Sequence, residues 1–199
     1  MSQVVERRKL DADADIRPSK FAHFVVQTSQ YQTLIDWYKT VLRAEEVFRN
    51  DMLCFMTFDD EHHRLAIANI PGLQPAPKRT QGVAHLAYSY RNLGELLANY
   101  VRLKAHGITP FWPINHGMTV SMYYKDPDGT AIEFQVDVLP TKQDLRAYFA
   151  GDEFRANPIG VIFDPDQMVR DYEAGVPEEV LIKRPPLPEG VSFLSQLRG

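Results

Sequence analysis

The chain contains itself twice, and that duplication limits its possible folds more than any other feature. Phe21-Ala22-His23-Phe24-Val25-Val26 is echoed by Val83-Ala84-His85-Leu86-Ala87-Tyr88. With the two histidines superposed, Leu34 falls on Leu96, Ile35 on Leu97, Tyr38 on Tyr100 and Val41 on Leu103. Apolar matches at unchanged register behind a matched strand mark a duplicated module. Residues at equivalent places in the two copies are then expected at equivalent places in the fold.

Each copy has the same local grammar. Residues 21–26 are rich in β-branched and aromatic side chains and read as a strand. Leu34, Ile35, Tyr38, Val41 and Leu42 recur at helical spacing, as do Leu93, Leu96, Leu97, Tyr100 and Val101 in the second copy. Ser29 and Asn92 are the expected helix starts, and Gly107 stops the second helix. Apolar runs follow at 46–48, 52–58 and 64–70, and again at 109–112, 119–124 and 130–136. Asp126-Pro127-Asp128-Gly129 has the backbone preferences of a tight turn before the last of these.

Each module is therefore β-α-β-β-β, and the fold class is α+β, with two tandem modules forming a cupped mixed sheet. The expected boundaries are an N-terminal extension at 1–20, modules at 21–77 and 78–140, and an irregular C-terminal extension with short helices at 141–199. Pro71 to Thr80 is the proline-rich linker. Within the extension, Asp144 to Ala150 reads as a short helix. Asp164-Pro165 reads as an N-cap with proline at the first helical position, opening a helix that stops at Gly175. Pro185-Pro186-Leu187-Pro188 is extended. The extension has too little apolar content for its own core and is expected to lie across the modules or a partner subunit.

Composition excludes several function classes. No apolar run approaches the length of a membrane-spanning helix. The charged stretch from Met1 to Lys20 lacks the apolar core of a signal peptide, so a cytoplasmic protein is expected. Cys54 is the single cysteine, which removes both an intrachain disulfide and a thiolate cluster. With 22 basic and 26 acidic residues the net charge is −4, and the basic residues are scattered. A nucleic-acid groove needs a concentrated positive field, so nucleic acid is not an expected partner.

The chemistry concentrates where the modules face each other. Two curved sheets side by side enclose a cavity, and pseudo-symmetry brings His23 and His85 into it together. In Thr130-Ala131-Ile132-Glu133-Phe134 the period of two turns Ile132 and Phe134 toward the helices, and Ala131 and Glu133 toward the cavity. A carboxylate in that setting needs a partner, because an unpaired buried charge is costly. A single histidine would read as an ordinary satisfied side chain, and Glu133 alone as the partner of an arginine. Two histidines at equivalent repeat positions with an inward glutamate instead make a facial triad. That donor set leaves coordination positions open and suits non-haem Fe(II) and oxygen chemistry.

These residues carry a resemblance. Ala22-His23-Phe24-Val25, Val83-Ala84-His85-Leu86 and Asp126-Pro127-Asp128-Gly129-Thr130-Ala131-Ile132-Glu133-Phe134 resemble the signature segments of the vicinal oxygen chelate superfamily, over roughly residues 20 to 138. That superfamily includes glyoxalases, bleomycin-resistance proteins, epimerases and extradiol dioxygenases. Glyoxalase I and methylmalonyl-CoA epimerase take a fourth ligand from the last strand of the first module. Here that strand is Leu65-Ala66-Ile67-Ala68-Asn69, and its cavity-side positions are read as alanines. A metal with three protein ligands is shared by the extradiol dioxygenases and the fosfomycin-resistance thiol transferases, and further residues make the chain resemble the small one-domain type I extradiol dioxygenases most.

The resemblance implies metal ligands His23, His85 and Glu133, with Fe(II) as the metal and Mn(II) or another divalent ion as alternatives. It implies an aromatic catechol-type diol and O2 as substrates, and a homo-oligomer as the assembly. It further implies catalytic roles for His63, Tyr123 and His116. His63 matches the family's acid/base histidine, whereas strand parity alone would turn His62 inward; His63 is preferred because parity is weakest where a strand begins. Tyr123 stands ten residues before Glu133, the family's spacing for a tyrosine that hydrogen-bonds the substrate oxygen. His116 resembles a second pocket histidine, though two residues closer to Glu133 than the pattern. Phe24, Phe55, Trp112 and Phe134 are candidate pocket walls or equally core residues, and His106 is read as a surface residue. The alternatives are a metal-dependent lyase, epimerase or thiol transferase on the same scaffold, or a metal-free small-molecule binding protein of the resistance type.

Overall fold

Both module helices form because their apolar residues line one face, and each is stopped by local chemistry. In a computed structural model, which describes residues 14–75, 77 and 81–198, the first module runs β1 (Phe24–Thr28), α1 (Tyr31–Leu42), β2 (Glu45–Arg49), β3 (Leu53–Thr57) and β4 (Leu65–Asn69). The second runs β5 (Leu86–Ser89), α2 (Leu93–Ala105), β6 (Trp112–Asn115), β7 (Thr119–Lys125) and β8 (Ala131–Asp137). Residues 1–13 of the N-terminal extension and linker positions 76 and 78–80 lie outside the described residues.

Leu34, Ile35 and Tyr38 of α1 pack on Leu65 and Ile67 of β4 and on Cys54 and Met56 of β3. Leu93, Leu96, Leu97, Tyr100 and Leu103 of α2 pack on Val120, Met122, Tyr124, Ile132 and Phe134. Asn92 caps α2 by accepting the Glu95 N–H, and Gly107 takes a left-handed φ of 75° just past its end. Ser29 lies one position outside the α1 cap: Gln30 occupies that place, and the Thr28 hydroxyl accepts the Gln30 N–H.

The strands form two mixed sheets rather than one continuous cup. The first has the order β1-β4-β3-β2 and the second β5-β8-β7-β6-β9, where β9 is Val161–Ile162. In each sheet the first strand is parallel to the last of its module and the other pairs are antiparallel. Two strand readings shift. The strand expected over 21–26 begins at Phe24, because β1 takes its ladder from β4 starting at the Phe24–Leu65 pair. The run expected at 109–112 becomes β6 at Trp112–Asn115, because the Trp112–Tyr123 register sets that strand against β7.

The modules are joined side to side. Val41 of α1 is buried in the second module's core. Arg102 of α2 donates to the Thr40 and Val41 carbonyls at the end of α1, at 2.6 and 3.1 Å. Tyr38 donates to the Asp126 carboxylate at 3.1 Å. Tyr88 meets Phe24 and Phe58 of the first module edge-on, with ring centroids 6.4 and 5.6 Å apart.

The C-terminal extension is more ordered than the sequence reading allows. It holds α3 (Lys142–Ala150), α4 (Asp152–Ala156), β9, α5 (Pro165–Glu173), α6 (Glu178–Leu181) and a short 3-10 helix at Phe193–Gln196. Thr141 and Asp144 form a reciprocal capping box on α3, and Asp164 caps α5 with Pro165 at its first position. β9 extends the second sheet beside β6, and the Trp112 indole donates to the Gln196 carbonyl at 2.8 Å. The extension therefore closes over the second module.

Candidate active site

Strand pairing brings the chemistry together on the face of the second sheet that points away from α2. Ala87 pairs with Glu133 and Glu133 with Tyr123, so those three side chains share a face. Ile132 and Phe134 point the other way into the helix-side core, as the period of two requires. Phe134 is thus a core residue and not a pocket wall; it is fully buried against α2. Glu133 is 4% exposed and its carboxylate lies 3.0 Å from Nε2 of His85, which precedes β5.

Tyr123 lies between this pair and His116. Its ring meets the His85 ring edge-on with centroids 5.2 Å apart, and its hydroxyl is 3.2 Å from His116 Nε2. Burial, then the charge of Glu133, pushes the Tyr123 hydroxyl far above its ordinary range, so it stays protonated. His116 Nδ1 faces the Ile159 carbonyl at hydrogen-bond distance. Burial holds the His116 imidazole below its ordinary value, so the ring is neutral at pH 7. Trp112 covers this corner, its ring 4.8 Å from Tyr123 and 5.7 Å from His116.

The first module contributes a separate group. His23 and His63 stand with ring centroids 4.6 Å apart, and Phe55 packs on His63 at 5.0 Å. His62 turns outward with its side chain 77% exposed, near Glu61. Burial first, then the neighbouring His62 and His23, lowers the proton affinity of His63. Arg64 fixes the approach to His23 by donating to the carbonyls of Phe21 and Ala22, while its guanidinium pairs with Asp59. Sequence reasoning passed over Arg64, although its place directly after the histidine pair is the signal for it. His106 is exposed, as read.

The expected triad is therefore brought together in two parts. His85 and Glu133 meet, whereas His23 stands with His63. Among the described residues no group of three His, Cys, Asp or Glu side chains is close enough to hold a metal. β1 pairs with β4 and β5 with β8, so the two histidines precede strands of different sheets. The imidazole–carboxylate pair fits a divalent cation, since both donors are placed and the carboxylate is desolvated. On the facing strand, Ala66 and Ala68 occupy the side opposite Leu65 and Ile67, so β4 offers no carboxylate as a further ligand.

A cavity of about 540 Å³ opens at the module junction beside His85, with Phe21, Phe24, Phe58 and Tyr88 among its walls. Phe24 is thus placed as a wall there, while Phe55 and Trp112 flank His63 and Tyr123. The Asn157–Gly160 loop, Tyr148 and Arg184, which sit behind His116, were missed by the sequence reading. Only the Asn157-Pro158 and Gly160 turn signature hinted at them.

Comparisons with known proteins identify the family. Residues 20–134 match the profile of the glyoxalase/bleomycin resistance protein/dioxygenase superfamily. Biphenyl-2,3-diol 1,2-dioxygenase 2 of Rhodococcus globerulus is 46% identical over 159 residues, covering 79% of this chain and 84% of that protein. Biphenyl-2,3-diol 1,2-dioxygenase 3 of the same organism is 41% identical over 167 residues, covering 83% and 88%. A glyoxalase/dioxygenase structure from Nostoc punctiforme shares the fold at 18% identity, with a TM-score of 0.52 over 64% of this chain and 99% of that one. Those enzymes' names place the broken bond beside the diol and not between its two oxygen-bearing carbons, which is extradiol cleavage. The chain belongs to the glyoxalase/bleomycin resistance protein/dioxygenase superfamily and, within it, to the extradiol ring-cleaving dioxygenases.

Proposed function

We propose that this enzyme opens an aromatic diol of the biphenyl-2,3-diol type with O2, using a divalent metal held by His85 and Glu133 with His23 as the third ligand. Iron(II) is the metal we assign, with manganese(II) the nearest substitute. When bound, it supplies the site at which the diol and O2 meet and the redox chemistry between them. The observation that carries the reading is the side-by-side placing of two polar contacts, His85–Glu133 and Tyr123–His116, across the paired strands β7 and β8.

The protein's own residues hold the protons and the substrate. With Nδ1–H directed at the Ile159 carbonyl, the neutral His116 ring offers a lone pair at Nε2. When the Tyr123 hydroxyl donates to that lone pair, its oxygen is free to accept a hydrogen bond from a diol hydroxyl. His63 is partly buried and its lowered proton affinity keeps the ring neutral, so it has a lone pair free to take a proton from the diol and return it to oxygen later. Phe55 and Trp112 exclude water beside these two groups.

The test is anaerobic loading with Fe(II), then addition of biphenyl-2,3-diol and air. The reading expects a yellow ring-opened product from the wild type, and none from the His85→Ala or Glu133→Ala proteins. A protein that binds iron and consumes neither diol nor O2 contradicts it.

A further inference from the structure

The C-terminal extension reaches the proposed site through one loop. Asn157 is buried, and its Oδ1 accepts the backbone N–H groups of Ile159 and Gly160 at 3.1 and 2.9 Å. Its Nδ2 donates to the Gly160 carbonyl at 2.8 Å. Those three bonds leave the loop one shape. Gly160 is needed within it: its φ is 126°, and a Cβ there would stand 2.5 Å from the Asn115 carbonyl oxygen.

The same loop is braced from outside. Arg184, whose side chain is 4% exposed, donates to the Asn157 carbonyl at 2.8 Å and pairs with Glu153 at 3.1 Å. Tyr148 donates to the His116 carbonyl at 2.8 Å. His116 is thus gripped at its backbone by Tyr148 and at its ring by the Ile159 carbonyl.

A carbonyl oxygen can only accept a hydrogen bond, so His116 carries its proton on Nδ1. Nε2 then holds the lone pair and can only accept, so its contact with Tyr123 draws on the hydroxyl proton, for which the Glu133 carboxylate is the second acceptor. We infer that Asn157, by fixing the Ile159 carbonyl, sets the tautomer of His116 and through it the direction of the Tyr123 hydroxyl. Asn157 touches no reacting group and acts as a positioning residue. Its consequence for catalysis rests on the function proposed above; its consequence for the tautomer does not.

The test is a long-range proton–nitrogen correlation spectrum of the histidine rings in the full-length protein without added metal, with His116→Gln used to assign the signal. The wild type is expected to show His116 protonated at Nδ1. Asn157→Ala is expected to mix in the Nε2–H form and to lower kcat of the iron-loaded enzyme about 10- to 100-fold with a smaller change in KM. Asn157→Asp keeps the Oδ1 acceptor for both N–H groups but loses the donor to the Gly160 carbonyl, and is expected to mix in less of the Nε2–H form than Asn157→Ala. A wild-type ring protonated at Nε2 overturns the inference with no variant needed, as does an unchanged tautomer in folded Asn157→Ala. If no diol is opened by the wild type, the proposed function fails while the spectra still decide this point.

Discussion

His85 Nε2 and the Glu133 carboxylate meet at 3.0 Å where β5 and β8 run parallel, and the carboxylate is desolvated there. The contact is a hydrogen bond, the ring N–H donating to the carboxylate. A metal must displace that proton, because an imidazole ligates only when its nitrogen is free.

Divalent metal affinity is therefore expected to fall as pH falls, with protons released on binding. Calorimetry of Mn(II) binding in two buffers of different ionisation heat measures this. His85→Ala, Glu133→Ala and His23→Ala should each lose at least about 100-fold in affinity, more than removal of an outer partner costs. Full affinity in His23→Ala would remove that histidine from the ligand set.

Tyr123→Phe keeps the ring that packs between His85 and Trp112 and deletes only the hydroxyl. Steady-state kinetics should show kcat about 100-fold lower, the scale of a lost proton-handling group. Unfolding free energy should change by about 1 kcal/mol, the net worth of one hydrogen bond. An unchanged kcat would reduce Tyr123 to a packing residue.

Arg102→Met keeps the aliphatic stem and removes the two bonds that tie α2 to the end of α1. Urea unfolding should report a loss of about 1.5–3 kcal/mol, as for hydrogen bonds from a charged group. No loss would mean that these two bonds do not help to hold the modules together.

Asp126 gives the clearest pH signature. Burial raises its carboxyl above the ordinary value, outweighing the bonds from Thr130, Tyr38 and Asp128 that favour the charge. A raised folded pKa means that its contribution is fully present below the unfolded value of about 4, and is lost as pH rises through the folded value. Asp126→Asn retains an Oδ1 acceptor for the Asp128 and Thr130 N–H groups and carries no charge. Chemical unfolding from about pH 4 to pH 7 should therefore show a smaller fall in stability for the variant than for the wild type. A steeper fall in the variant would contradict the sign.

Much of this was legible in the sequence because it is set locally or by repetition. The superposition of His85 on His23 gave both modules, and the period of two turned Glu133 away from Ile132 and Phe134. Asn92, Gly107 and Asp164-Pro165 marked helix ends because capping depends on near neighbours. What was not legible depends on distant pairing. The His23 and His85 strands share no ladder, which periodicity within one strand cannot reveal. Phe134 was open between pocket wall and core, and the α2 residues that bury it decide for the core. The contact of Ile159 with His116 spans 43 residues, and nothing near either residue announces it.

The most direct test follows isotopically heavy dioxygen into product. The iron-loaded wild type, given biphenyl-2,3-diol, is predicted to place both heavy oxygen atoms in one ring-opened acid, cut beside the diol. Recovery of the diol unchanged, a quinone without heavy oxygen, or a product cut between the two hydroxyl-bearing carbons would contradict extradiol cleavage at this site.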